Sequence, residues 1–360
     1  MRTYQMIAAG ILAGFGMLLL QQCKGKPSTG SDAPRQTGFE FKNKLSDYGF
    51  FKGAIKELVP NSGVVRYELH TPLFTDYTVK DRFIVLPGDS QMHYVSRGPL
   101  QFPDATVIIK NFAYTNEQHQ KVMIETRLLV KDPADHEWKV MNYLWNKEQT
   151  DAVKHITGAR VPIRFLDDRQ VPVSTIYQVP NTNDCKRCHT QEGALMPIGP
   201  KARNLNFSPA FLGSNQLADW VNRHMITGVP DVSTVEQLPA WNDAQHYTLE
   251  QRARAYLDVN CAHCHTRSGD AYNTGLFLEY EQKDPQALGI LKSPVSAGGG
   301  AGGLNYDLVP GDATHSILAY RMSSTEPGTA MPELARTVIH KEGVKLIVDW
   351  INAMPKRTAK

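Results

Sequence analysis

The sequence predicts a multidomain α+β chain, with an all-β region in front, sandwich or barrel, and an α-helical domain behind. Three observations carry that expectation. Val122, Ile124, Thr126, Leu128 and Val130 alternate with Met123, Glu125, Arg127 and Leu129, a period of two that suits a half-buried strand. Short apolar runs at 82–86, 105–112, 140–145, 162–166 and 173–179 are separated by Pro, Gly, Asp and Asn, the spacing of several short strands. Leu249, Ala253, Tyr256 and Leu257, and later Val344, Ile347, Trp350, Ile351 and Met354, instead follow a helical period. The chain of 360 residues has room for two or three cores, and a formal charge of +3 does not imply nucleic acid.

Residues 1–22 pair a basic start, Met1-Arg2, with an apolar run from Met6 to Leu20, too short for the roughly 20 residues of a membrane span. Leu20-Gln21-Gln22-Cys23 resembles a bacterial lipobox, which implies a signal peptide cleaved to leave Cys23 as a lipidated N-terminus. More than one acyl chain then anchors the protein stably. Residues 23–37 are small, polar and proline-bearing, a flexible tether with a span of roughly 20 Å. The expected location is the exported face of the bacterial cell envelope, periplasm or cell surface. Lys24 is not the acidic residue of inner-membrane retention, which favours the outer membrane.

The β-rich region is expected over 38–180, and over 181–245 a cofactor-binding segment that carries Cys185-Lys-Arg-Cys188-His189 and one helix. In that segment Ser214 is expected to cap a helix with the stripe Leu217, Trp220, Val221 and Met225, ending near Gly228. Over 246–357, Thr248-Leu-Glu-Gln251 fits a capping box that opens a helix running into Cys261. Val309-Pro-Gly-Asp312 and 315–322 fit a turn and short helix. The glycine run 297–303 lacks a Gly-Lys-Ser/Thr ending and reads as a mobile loop, not a phosphate cradle.

The remaining four cysteines form Cys185-Lys-Arg-Cys188-His189 and Cys261-Ala-His-Cys264-His265. Cys-x-x-Cys-His marks covalent attachment of haem c: thiols at i and i+3 share a helical face, and the next imidazole can take an axial position on iron. A redox dithiol does not require the histidine, and a zinc ribbon leaves its recurrence unexplained. Two haems c are therefore expected, with His189 and His265 as axial ligands. Of the other histidines, 70, 93, 119, 136, 155, 246 and 340 lack ligand spacing and read mostly as surface or loop residues. Asp167-Asp168 reads as a turn.

Residues 247–356 resemble a class I cytochrome c domain: helix, Cys-x-x-Cys-His, long loop, Met-Pro, C-terminal helix. The resemblance implies Met331 as sixth ligand, with Met322 competing. Nearly the whole mature chain is similar to a family of exported bacterial dihaem c-type cytochromes. The matching stretches are 102–110, Glu125-Thr-Arg-Leu128, 198–206 and Asn260-Cys-Ala-His-Cys-His265. That likeness implies a fold and a cofactor count, not a reaction.

The sixth ligand of the His189 haem is open between Met196, His224, Met225 and an unliganded position. Met196, seven residues after His189, has a short chain with which to reach the opposite porphyrin face. A β region followed by Cys-x-x-Cys-His also resembles the cytochrome P460 and c′-β group, and in cytochrome P460 a strand lysine is cross-linked to the haem. Lys110 maps there. The leading expectation is an electron carrier between exported redox proteins. Its rivals are a dihaem oxidoreductase, peroxidase-like or P460-like, with an open first haem fed by the second, and a β docking module for an exported partner.

Overall fold

Period-two runs of branched and aromatic residues build a six-stranded antiparallel sheet: β1 (Val64–Tyr67), β2 (Val79–Val85), β3 (Val107–Thr115), β4 (Lys121–Lys131), β5 (Trp138–Trp145) and β6 (Ala152–His155). A hairpin of β7 (Ala159–Leu166) and β8 (Pro172–Val179) packs Phe165 and Tyr177 against Tyr114 and Ile124 at one corner. The computed structural model describes residues 38–356 other than 168, 296 and 335. The signal peptide, Cys23 and the tether expected to 37 lie outside the described residues.

The strands neighbour one another in chain order and β1 does not pair with β6. The sheet is thus an open meander, not the closed barrel that was one expectation. Nor is its second layer an opposing sheet of comparable size, as in a sandwich. Ile84, Ile108 and Leu129 form a core with Leu205, Leu217 and Trp220 from helical segments. On the other face Phe83, Ile109 and Leu128 pack against Leu45, Phe50 and Phe51 of the N-terminal segment. Strand β4 is consequently covered on both sides, not half-buried as its alternation suggested. Where β3 and β4 pair, Phe112 faces Glu125 and Ala113 faces Met123, so Ile124 is the extra residue of a bulge.

The helices are α1 (Thr182–His189), α2 (Ala202–Leu205), α3 (Gln216–Asn222), α4 (Leu249–Asn260), α5 (Ile317–Met322) and α6 (Lys341–Ala353). Helix α3 is capped by Asn215, whose side chain accepts from the Ala218 amide, so the cap falls one residue after Ser214. It ends at Arg223, short of Met225, because His224 takes a left-handed φ of 54°. The chain then pairs Ile226–Thr227 in parallel with Met92–His93. Thr248 and Gln251 form the expected capping box of α4. Helices α4 and α6 share one core through Ala253, Tyr256 and Leu257 on one side and Ile347, Trp350 and Ile351 on the other. Gly343 lets them approach: a Cβ there would lie 2.4 Å from Tyr256 Oη. Within the glycine run Gly298–Ala301 form a 3-10 turn, and Gly300 is buried beside Arg321 while Gly298, Gly299, Gly302 and Gly303 are exposed.

The described residues, 38–356, fall in one compact unit in which the sheet and helices are tied by buried polar contacts. Asp258 on α4 pairs with Lys201 at 3.1 Å and Arg203 at 2.7 Å. The loop before β2 reaches across as well. The Phe74 amide donates to Asn260 Oδ1 at 2.7 Å, and its ring stacks on His340 with centroids 4.1 Å apart. No helix among the described residues is long and apolar enough to cross a membrane.

Candidate cofactor site

Helix α1 is short and polar, and it exists because both ends of its first turn are satisfied. Asn181 Oδ1 accepts from the amides of Asn183 and Asp184, while the Asp184 carboxylate accepts from the Asn181 amide. The helix sets Cys185, Cys188 and His189 on the wall of a large cavity. After it, Thr190–Gln191 and Ala194–Leu195 form a small hairpin that returns Met196 to His189. The Met196 carbonyl accepts from His189 Nδ1 at 2.8 Å, which leaves Nε2 as the imidazole's free lone pair. Burial and the nearby Lys110 ammonium push His189 down to about 3, so the ring is neutral, as a metal ligand must be.

The second motif continues α4, and Cys261, Cys264 and His265 stand near the same cavity or line it: Cys261, His263 and His265 are lining residues. Gly269 makes the turn possible, since a Cβ there would sit 2.4 Å from the Cys264 carbonyl oxygen. His265 is buried and pushed down to about 4 by that burial. Among the described residues neither its buried Nδ1 nor that of His263 makes a hydrogen bond of good geometry.

The two motifs meet. Ligand atoms of Cys188, His263 and Cys264 lie within 4.8 Å of one another. The Cys264 thiol and the His263 ring hold Cys188 well below the usual thiol range, and the same contact pushes Cys264 up. Burial raises Cys185, and pushes Cys261 up to about 12.

Met331 and Met322 both line the cavity beside the second motif. Around the first motif the outcome is different. Met196 supports His189 through its backbone, and neither its side chain nor His224 nor Met225 belongs to the lining. His224 is exposed and Met225 is buried in the sheet core. Lys110 does line the cavity, and burial together with Arg127 and Arg82 pushes its ammonium down to about 7. Each of the four matching sequence stretches supplies lining: Ile108 and Lys110, Arg127, Lys201 and Asn204, Asn260 and Cys261.

Sequence reasoning missed His263, because intervening motif positions carry no spacing rule. It missed Lys80 and Arg82, which a strand pattern treats as solvent-facing. It also placed His340 among surface and loop residues, whereas His340 is buried and bonded to Tyr256 Oη at 2.9 Å. Asp167 does form a turn, its Oδ1 accepting from the Arg169 and Val171 amides. Comparison of the chain with protein-family models, curated proteins and solved structures gives no match.

Proposed function

We propose that this protein is a dihaem c-type cytochrome, a lipid-anchored electron carrier between exported redox proteins. The observation that carries the reading is the convergence of both Cys-x-x-Cys-His segments on one cavity, with Cys188 and Cys264 as neighbours. The residues fit the group: two neutral imidazoles, one with its second nitrogen already bonded, and two thiol pairs at helical spacing. Haem c, when bound, supplies one-electron chemistry at an iron that cannot be lost to the medium. Cys185 and Cys188 would hold one group under His189, and Cys261 and Cys264 the other under His265. Met331 is the favoured second ligand to the latter, with Met322 its rival, and the region 246–357 is read as a cytochrome c domain on that basis. Attachment points this close suit a relay, because they keep the two centres together whatever the tether does.

A second reading rests on the same three atoms. Cys188, His263 and Cys264 offer two sulfurs and a nitrogen to a zinc ion. It consumes thiols that thioether bonds would use, so the two readings exclude each other. The dihaem oxidoreductase remains a variant of the first, favoured by the charged wall near His189.

Intact mass and a pyridine haemochrome assay on protein made with c-type maturation should give two haems per chain. A colourless protein with one equivalent of zinc would overturn the proposal. Potentiometry should then resolve two different midpoints, and a high-spin component that shifts on adding cyanide would move the reading toward the oxidoreductase. Cys23→Ser should release the chain from the membrane fraction.

A further inference from the structure

Three cations stand side by side in the sheet. Arg82 on β2 is in register with Lys110 on β3, and Lys110 with Arg127 on β4, on the face that lines the cavity. Like charges directly opposite on neighbouring strands repel. Lys80 adds a fourth charge two residues before Arg82, its ammonium donating to the Leu73 carbonyl.

The compensation on this face is thin. Glu125 accepts from Arg127 Nε at 3.0 Å and also bonds Tyr177, so it is committed to one member of the row. Arg127 lies over the Phe112 ring at 4.3 Å, and Lys110 only at 5.8 Å. Arg82 is 7% exposed, and among the described residues its guanidinium has no hydrogen bond or ion pair. Asp81 points away to Lys121, and Glu68 to Arg66. A guanidinium largely removed from solvent and facing a cavity without a protein partner is stabilised when something negative joins it.

From this geometry we infer that the Arg82–Lys110–Arg127 row is a binding site for a carboxylate or small oxyanion inside the cavity. Two planar guanidinium forks flanking an ammonium match the oxygens of such a group, which can accept from each in turn. The crowding that pushes Lys110 down to about 7 is relieved by an anion between the cations. One source is a carboxylate of a haem held by Cys185 and Cys188, and that arm rests on the proposed function. The other is a free inorganic oxyanion, and that arm stands on the sheet alone.

Thermal unfolding of the purified holoprotein in phosphate against chloride at matched ionic strength separates them. If the anion is free, phosphate raises Tm saturably by a few degrees, and Arg82→Gln and Lys110→Gln each abolish the gain. If haem carboxylates fill the row, phosphate adds nothing, but both variants shift one midpoint potential downward as a cation is withdrawn from the carboxylates. The inference is overturned if neither effect is seen and both variants are simply more stable in every buffer, the signature of like-charge repulsion relieved. A phosphate effect in protein lacking any Soret band would sink the haem reading and leave this site standing.

Discussion

The segment Cys185–His189 ends an eight-residue polar helix leaning on a sheet, whereas Cys261–His265 continues a twelve-residue helix buried along most of its length. The first has its histidine held by a hairpin carbonyl and looks across at a row of cations. The second lies at the crossing of α4 with α6, where the cavity wall carries Leu278, Met322 and Met331 but also Arg321 and Arg336. One pentapeptide pattern thus sits in two environments. Local spacing repeats the pattern, and the surroundings of each copy differ: a row of strand cations faces the first, and two methionines among charged side chains accompany the second.

The sharpest way to break the comparison is to cut the joint between the two regions. Asp258 sits one turn before Cys261, while Lys201 and Arg203 follow the first motif, and the aspartate is fully buried between them. Arg203 also pairs with Glu281 at 2.7 Å. Asp258→Ala would deprive buried Arg203 and half-buried Lys201 of their shared carboxylate, leaving Arg203 only Glu281, and is expected to cost about 3–5 kcal/mol. Chemical denaturation checks this. A loss below 1 kcal/mol would mean that this ion-pair cluster is not what holds the regions together.

The second region carries its own pH dependence. Burial pushes His340 down to about 4, below the roughly 6.5 of an unfolded histidine, with Lys80 and Arg336 acting in the same direction and Glu342 against it. The folded state binds fewer protons, so the stability this group contributes is complete above about pH 6.5 and is lost as pH falls toward 4. Its full extent is about 3 kcal/mol. His340→Gln should flatten the stability curve between those limits, and unchanged slopes in the two proteins would show that His340 is not the group responsible.

Much of this was legible in advance, for physical reasons specific to each element. The strands declared themselves because β-branched residues at period two have few other uses, α4 because its capping box and apolar stripe agree, and α6 because of its stripe. The open sheet was not legible. Closure depends on what covers the inner face, and nothing in the Leu217–Trp220 stripe says that it lies on Ile84 and Leu129. The motif cysteines were legible from spacing alone, yet the meeting of Cys188 with Cys264 was not, since 76 positions of sequence say nothing about distance in space. Arg82, Lys110 and Arg127 lie on separate strands, and only register turns them into a row. His340 looked like a loop residue because its partners, Phe74 and Tyr256, are remote in the chain.

Gly343→Ala sharpens the contrast from the helical side. The added methyl would meet Tyr256 and the His340 ring at under 3 Å, both parts of a packed core. The expected cost is about 1–3 kcal/mol, as for other overpacked interiors. Hydrogen exchange should show lost protection in α4 and α6 while β3 and β4 keep theirs; equal loss in the sheet would mean that the two regions unfold as one.

The smallest expected effect concerns the cap of α1. Asn181→Ala removes the acceptor for two amides in a helix of only two turns, and should cost about 1 kcal/mol. The equivalent change at Thr248 removes an acceptor of similar strength, but α4 has Tyr256, Leu257 and Ala253 buried against α6 to hold it. Amide exchange over 183–189 in the first variant should therefore accelerate well beyond that over 250–256 in the second. Similar acceleration in both would mean that α1 is held by its packing on the sheet, and that the two motifs are more alike in their support than their surroundings indicate.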